Sequence, residues 1–202
     1  MPRGAYRHLD ETGTTVLVER FSCAAGPSGW RYNAELRDPE DAHAVGAVDV
    51  VVDASWLQVA VSLRSGGVSV QGGLSGAELV WARTDGTSTT EGQEPAAAFA
   101  GTTPGLLVAV ARLLGLSRGH AARARVVRVT PPTLQPEPID ETWALTDVTT
   151  YETDVRPLRV ERYEVTGPGD VDPRVLHLAG DVVLDAPRLA LEELDTPPTP
   201  GG

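Results

Sequence analysis

Apolar and polar residues alternate one for one along much of this chain, and short glycine-bearing breaks separate the alternating runs. Trp30, Tyr32, Ala34 and Leu36 interleave with Arg31, Asn33, Glu35 and Arg37, the pattern of a strand with one buried and one wet face. Leu57, Val59, Val61 and Leu63 do the same against Gln58, Ala60, Ser62 and Arg64, and Val48, Val50 and Val52 share a face between them. Two more strands are read at 68–71 and 79–83, beyond the glycine pairs Gly66-Gly67 and Gly72-Gly73. Connections this short join only antiparallel neighbours, because a parallel crossover needs a dozen residues or more.

The period changes once. Thr103-Pro104 reads as an N-cap with proline at the first helical position, and Leu106, Val110, Leu113 and Leu114 recur at helical spacing before Gly115. A helix over 103–115 is therefore expected to lay an apolar stripe on one sheet face, with 85–101 as the loop that approaches it. Strand patterns resume at 124–130, 141–146, 158–165 and 175–184, and 188–194 reads as a short helix or strand. Pro131, Pro132, Pro136 and Pro138 predict a sheet-incompatible link over 131–138. The expectation is one β-rich domain over 1–195, with about five strands before the helix and four after. A disordered tail is expected over 196–202.

Composition narrows the chemistry. All 17 basic residues are arginine, so every lysine-dependent mechanism is excluded, from Schiff bases to phosphate-loop lysines. Against 28 acidic residues the formal charge is −11, which argues against nucleic acid and anionic membranes as partners. Cys23 is the single cysteine, leaving no internal disulfide and no cysteine-rich zinc site. No apolar run reaches the ~20 residues that span a membrane, and Met1–Arg20 lacks a signal-peptide pattern. Glu19-Arg20 before Cys23 disfavours lipoprotein acylation. A cytoplasmic location and no stable membrane insertion are expected.

His8, His43, His120 and His177 lie in four separate segments without metal-ligand spacing. Gly73-Leu74-Ser75-Gly76 lacks the spacing of a nucleophile elbow. Asp38, Glu40 and Asp41, with Asp49 and Asp53 beyond, form an acidic group without the dense alternation of a calcium loop. Neither cofactor nor metal is called for. Two arginine groups stand out, at 123, 125 and 128 and at 156, 159 and 162. Cross-strand pairing with carboxylates is one role for them; anchoring the polar head of a ligand is the other. Trp30, Trp56, Trp81 and Trp143 each lie on or beside a strand, as core residues or as walls of an apolar cavity.

Three stretches resemble a family of bacterial glycolipid-binding domains. Val50-Val51-Val52-Asp53-Ala54-Ser55-Trp56-Leu57-Gln58-Val59 is similar to that family's strand, Asp-x-x-Trp turn and next strand. Thr103-Pro104-Gly105-Leu106 with Ala111-Arg112-Leu113-Leu114 resembles its helix. The third stretch runs from Val127-Arg128-Val129 through Pro132, Leu134, Thr142-Trp143 and Tyr151 to Val160-Glu161-Arg162-Tyr163. The resemblance covers about residues 30–165 and implies a half-barrel like that of lipoprotein carriers.

The expected architecture is mainly β, in the α+β class: a strongly curved antiparallel sheet, a half-barrel or two sheet halves, around one central helix. The leading expectation for function is non-catalytic binding of an apolar or amphiphilic small molecule of lipid or glycolipid type. Trp30, Trp56, Trp81, Trp143 and Tyr163 would line its site, and Arg159 or Arg162 would meet its head. The alternatives are a ligand-free interaction module forming a homodimer, and a cavity enzyme for which His177 and Asp53 are the candidate groups.

Overall fold

The computed structural model of the protein describes residues 1–199. Alternation becomes strand throughout the first half: β1 (Arg3–Leu9), β2 (Thr15–Gly26), β3 (Gly29–Arg37), β4 (Ala44–Asp53), β5 (Gln58–Ser65), β6 (Val68–Ser75), β7 (Glu78–Asp85), β8 (Ser88–Glu94) and β9 (Ala98–Ala100). Helix α1 (Pro104–Leu114) follows. Then come β10 (His120–Arg128), β11 (Glu137–Tyr151), β12 (Leu158–Thr166), β13 (Arg174–Ala179), β14 (Val182–Ala186) and β15 (Leu189–Leu194). All fifteen strands belong to one open, curved sheet in the order β8-β7-β6-β5-β4-β3-β2-β1-β15-β14-β13-β12-β11-β10-β9. Two antiparallel meanders are thus zipped together at their terminal strands, with Gly4 opposite Leu194. The pairing of β9 with β10 is parallel, and α1 is its crossover.

Curvature brings the arms around the helix, which packs against β4, β9 and β14. The eight residues Pro104–Ala111 are all buried, so the expected one-sided stripe is corrected to a helix apolar all round and enclosed by the sheet. Gly105 lets it approach, since a Cβ there would sit 2.5 Å from the Tyr32 ring. Gly115 ends the helix in the left-handed conformation, at φ 53°. No described helix is long and apolar enough to cross a membrane.

Strand β5 of the first arm meets the edge strand β9 through one buried side chain. Gln58 is fully buried; its Oε1 accepts from the Phe99 N–H at 2.6 Å and its Nε2 donates to the Phe99 carbonyl at 3.0 Å. The amide caps the outer edge of β9 as a neighbouring strand would. A β-bulge makes this possible: Val51 faces Ala60 but Val52 faces Gln58, so Val59 is extra. The shift turns Gln58 inward and leaves Val59 49% exposed. Of the four residues expected on one apolar face of this strand, Val61 and Leu63 hold it.

Other expectations are corrected. The 85–101 loop contains β8 and β9, and the proline link ends early, since Glu137 and Pro138 pair with Arg128 and Val127 in β11. Gly180, at φ 56°, divides the 175–184 strand in two. The segment after β15 is anchored as far as it is described. Thr196 donates to the Met1 carbonyl at 2.9 Å, and the Thr199 N–H to Asp181 at 2.7 Å. Residues 200–202 of the expected tail lie outside the described residues.

Candidate functional site

The aromatic residues singled out from sequence fall into three groups. Trp30 (4% exposed) lies 5.5 Å from Trp56, at the end of a ladder running through Tyr32 and Phe21 to Tyr6. Trp56 sits at φ 64°, in a turn where Asp53 accepts the Ser55 and Leu57 N–H groups at 2.8 and 2.9 Å. Asp53 therefore shapes a corner. Trp81 lies flat on Gly92 and meets Phe99 edge-on at 6.4 Å. Trp143 meets Tyr163 edge-on at 6.1 Å, both 1% exposed, and its indole N–H donates to buried Glu141 at 3.0 Å.

The arginine groups divide in the same way. Arg123 and Arg128 pair with Asp140 and Glu137 on the neighbouring strand β11, and Arg125 pairs with Glu94 on β8, from the other arm of the sheet. Arg162 pairs with Glu164 at 2.5 Å and Thr146 at 2.7 Å. Arg159 instead reaches toward the C-terminal end of the helix. His177 stands 3.5 Å from exposed Asp185 at the surface. Asp38, Asp41 and His43 bring their ligand atoms within 4.8 Å of one another on an exposed turn. Asp41 holds the His43 imidazole above its ordinary pKa there, and hydrogen bonding to His43 lowers that of Asp41. Cys23 is buried against Asp181, its thiol 3.5 Å from Oδ2, and burial first and Asp181 second push its pKa up.

Buried polar groups concentrate at the two ends of α1, where sequence reasoning had not placed them. At the N-terminal end Glu19 has no exposed surface. Its carboxylate accepts from Tyr32 and Thr103, each at 2.7 Å, and lies 2.7 Å from His8 Nε2. Thr103 is the N-cap by backbone conformation, yet its hydroxyl goes to Glu19 instead of its own helix. A carboxylate beside a helix N-terminus is electrostatically well placed. Burial, reinforced by Glu19, holds the Tyr32 phenol well above its usual pKa. One sequence signal does point to Glu19: it occupies the inward phase shared by Leu17, Phe21 and Cys23 on β2.

Beside this cluster is a narrow apolar slot of about 20 Å³, walled by Leu36, Val48, Leu63, Val129 and Leu134, with His8 and Arg64 among its polar lining. That is roughly the space of one water. The Thr130–Leu134 turn forms one wall. Leu134 is 1% exposed, and Arg83 tethers the turn by two bonds of 3.1 Å to the Thr133 carbonyl. Across the turn lies an open groove of about 580 Å³ lined by Thr130, Thr133, Gln135, Arg128, Asp170 and Arg174, with Thr102 common to groove and slot.

At the C-terminal end Arg112 is fixed inside the fold. Its Nε and Nη2 donate to the Gly180 carbonyl at 3.2 and 2.6 Å, and Nη1 to Glu161 at 2.5 Å. Arg159 lies 3.1 Å from the other Glu161 oxygen, and the Tyr163 hydroxyl donates to Glu161 at 3.3 Å. Burial, then Glu161, pushes the Tyr163 phenol up to about 12.

No family model matches this chain, and neither does any curated protein. A solved structure does: the crystal structure of a DUF1089 family protein from Pseudomonas aeruginosa. It superposes with a TM-score of 0.56 over 84% of this chain and 89% of that one, at 18% identity. The two chains share the curved β-rich fold.

Proposed function

We propose that the protein binds an amphiphilic small molecule of glycolipid type without catalysis. Its chain would enter the slot beside Glu19, and its polar head would rest in the groove across the Thr130–Leu134 turn. The observation that carries this reading is the juxtaposition: an apolar slot and a hydroxyl- and amide-lined groove meet at Thr102, on two sides of one turn. Threonines, a glutamine and paired charges suit a sugar-like head, while Leu36, Val48, Leu63 and Val129 suit methylenes. The resemblance to glycolipid-binding domains points the same way. In this reading Leu134 is the plug, and the turn swings out when Arg83 releases Thr133. The aromatic residues hold the frame instead of touching the ligand.

Native mass spectrometry and calorimetry with alkyl glucosides, below their micellar concentrations, test it. Each added methylene should tighten binding by up to about fourfold, the equivalent of ~0.8 kcal/mol. Leu134→Ala should improve affinity about tenfold, while free glucose binds hardly at all. Failure of both the wild type and Leu134→Ala to retain any glucoside, or binding indifferent to chain length, would sink the proposal. One observation favours an interaction module instead. Val59 and Val80, 49% and 37% exposed, flank Gly73 on the outer face. Sedimentation velocity showing a concentration-dependent dimer that Val80→Glu dissolves would establish that reading.

A further inference from the structure

The rim at the helix C-terminal end is rich in arginine. Arg112 from α1 and Arg156 and Arg159 from the approach to β12 and its start line one pocket of about 100 Å³, and Glu161 is the one carboxylate among its lining residues. Three guanidinium groups against one carboxylate leave a local surplus of two positive charges, in a chain whose net charge is −11. Asp181, one residue beyond the lining residue Gly180, lies behind the lining and accepts from the Thr199 N–H and the Cys23 thiol; with its carboxylate counted, the surplus is one positive charge. Most other arginines pair with a carboxylate, as Arg31 does with Asp49 and Arg128 with Glu137 on the facing strands.

We infer that this pocket is a binding site for a compact tetrahedral oxyanion, a phosphate or sulfate group. The volume accommodates such a group. The donors are of two kinds. Arg112 is held in place, each of its three nitrogens engaged by Gly180 or Glu161, and it supplies fixed charge at the floor. Arg159 is 55% exposed at the side chain and, among the described residues, has Glu161 as its ion-pair partner through Nη2, which leaves the other face of its fork for a ligand. Arg156 gives Nη2 to the Pro198 carbonyl, a neutral acceptor that an anion outcompetes, since a charge-assisted bond is about twice as strong as a neutral one. Glu161 holds Arg112 and Arg159 in register from below and, at 5% exposure of its side chain, stays out of the ligand's path. The site lies at the opposite end of α1 from the slot and shares no lining residue with it. The inference therefore stands whether or not the slot takes a glycolipid.

The oxyanion has two sources, a free inorganic ion or the head of an anionic amphiphile. Calorimetry on the full chain with inorganic phosphate, sulfate, octyl phosphate and octyl glucoside, at low and high salt, separates them. Inorganic phosphate and sulfate should bind with an affinity that falls as salt rises. Arg159→Gln should weaken phosphate at least tenfold, Arg159→Lys less, because it keeps the charge and loses the fork. Arg156→Gln combined with Arg159→Gln should abolish binding. Both positions are at the rim, and an unchanged melting temperature without phosphate checks that the variants are folded. Binding of octyl phosphate alone, sensitive to Arg159→Gln, supports the site with a lipid head as its source. An octyl glucoside response that Arg159→Gln leaves unchanged while phosphate binding falls supports two independent sites, one at each end of the helix. If none of the three anions binds the wild type, or if binding is indifferent to both arginine substitutions, the inference is wrong.

Discussion

The two ends of helix α1 solve the same electrostatic problem in opposite ways. The helix is 11 residues long, about 16 Å, and it is enclosed by sheet, so each end presents orphan backbone groups and half a charge to the interior. At the N-terminal end a carboxylate, Glu19, answers the positive end and is surrounded by Tyr32, Thr103 and His8. At the C-terminal end a guanidinium, Arg112, answers the negative end and rests on Gly180 and Glu161. The first cluster is closed, with three partners converging on one carboxylate that has no exposed surface. The second stays open, because Arg156 and Arg159 add donors that Glu161 alone does not absorb. A saturated buried network holds segments in place; one with surplus charge at a rim is equipped to take a ligand.

That contrast ranks the substitutions. Glu19→Leu removes the shared acceptor of buried Tyr32 and Thr103 and half-buried His8 and should cost about 3–5 kcal/mol in urea denaturation. A cost below about 1 kcal/mol would mean that the cluster does not tie the helix to β2 and β3. Arg112→Met should cost less, about 2–3 kcal/mol, because Glu161 keeps Arg159 and Tyr163 as partners. If the two costs came out in reverse order, the open end would be the structural one. Thr103→Val deletes one spoke of the Glu19 cluster and leaves Tyr32 and His8 in place, for about 1–2 kcal/mol.

Much of the fold is legible because a half-buried antiparallel strand writes its own period into the sequence. Trp30 to Leu36 and Val48 to Val52 read correctly for that reason. Failures occur where the period is interrupted or absent. A single bulge at Val59 reverses the phase of β5 and hides Gln58 among residues that look solvent-facing. Strand β8, Ser-Thr-Thr-Glu-Gly-Gln-Glu, has no apolar face to betray it, since it is an exposed edge held by backbone pairing to β7. Strand β1 carries a register shift between Ala5 and Tyr6, which buries two consecutive residues. The helix-end clusters were harder still. Glu19 meets Thr103, 84 residues away, and Arg112 meets Glu161, 49 residues away. Nothing local distinguishes such carboxylates from surface ones except an inward phase. Arg159 was within reach because its strand concentrates arginine in an acidic chain, whereas Arg112 on the helix was not.

The smallest predicted effect at neutral pH is the most specific to the open end. Tyr163 donates to Glu161 over 3.3 Å, a long bond, so Tyr163→Phe should cost under about 1 kcal/mol at pH 7. Alkaline pH changes the comparison. The unfolded phenol loses its proton near pH ~10, and the folded one, buried and beside Glu161, holds it to about 12. Between those values the folded chain binds more protons than the unfolded chain, so stability is intact below about pH 10 and falls as pH rises through the window. Tyr6 and Tyr32 at the closed end are also held well above the ordinary value by burial and Glu19, so the wild type should lose stability steeply there. Tyr163→Phe should lose visibly less than the wild type between about pH 10 and 12, read from urea midpoints at stepped pH. An unchanged alkaline slope would mean that neither burial nor Glu161 holds the Tyr163 proton in the folded chain, and that this hydroxyl is no part of the charged network at the open end.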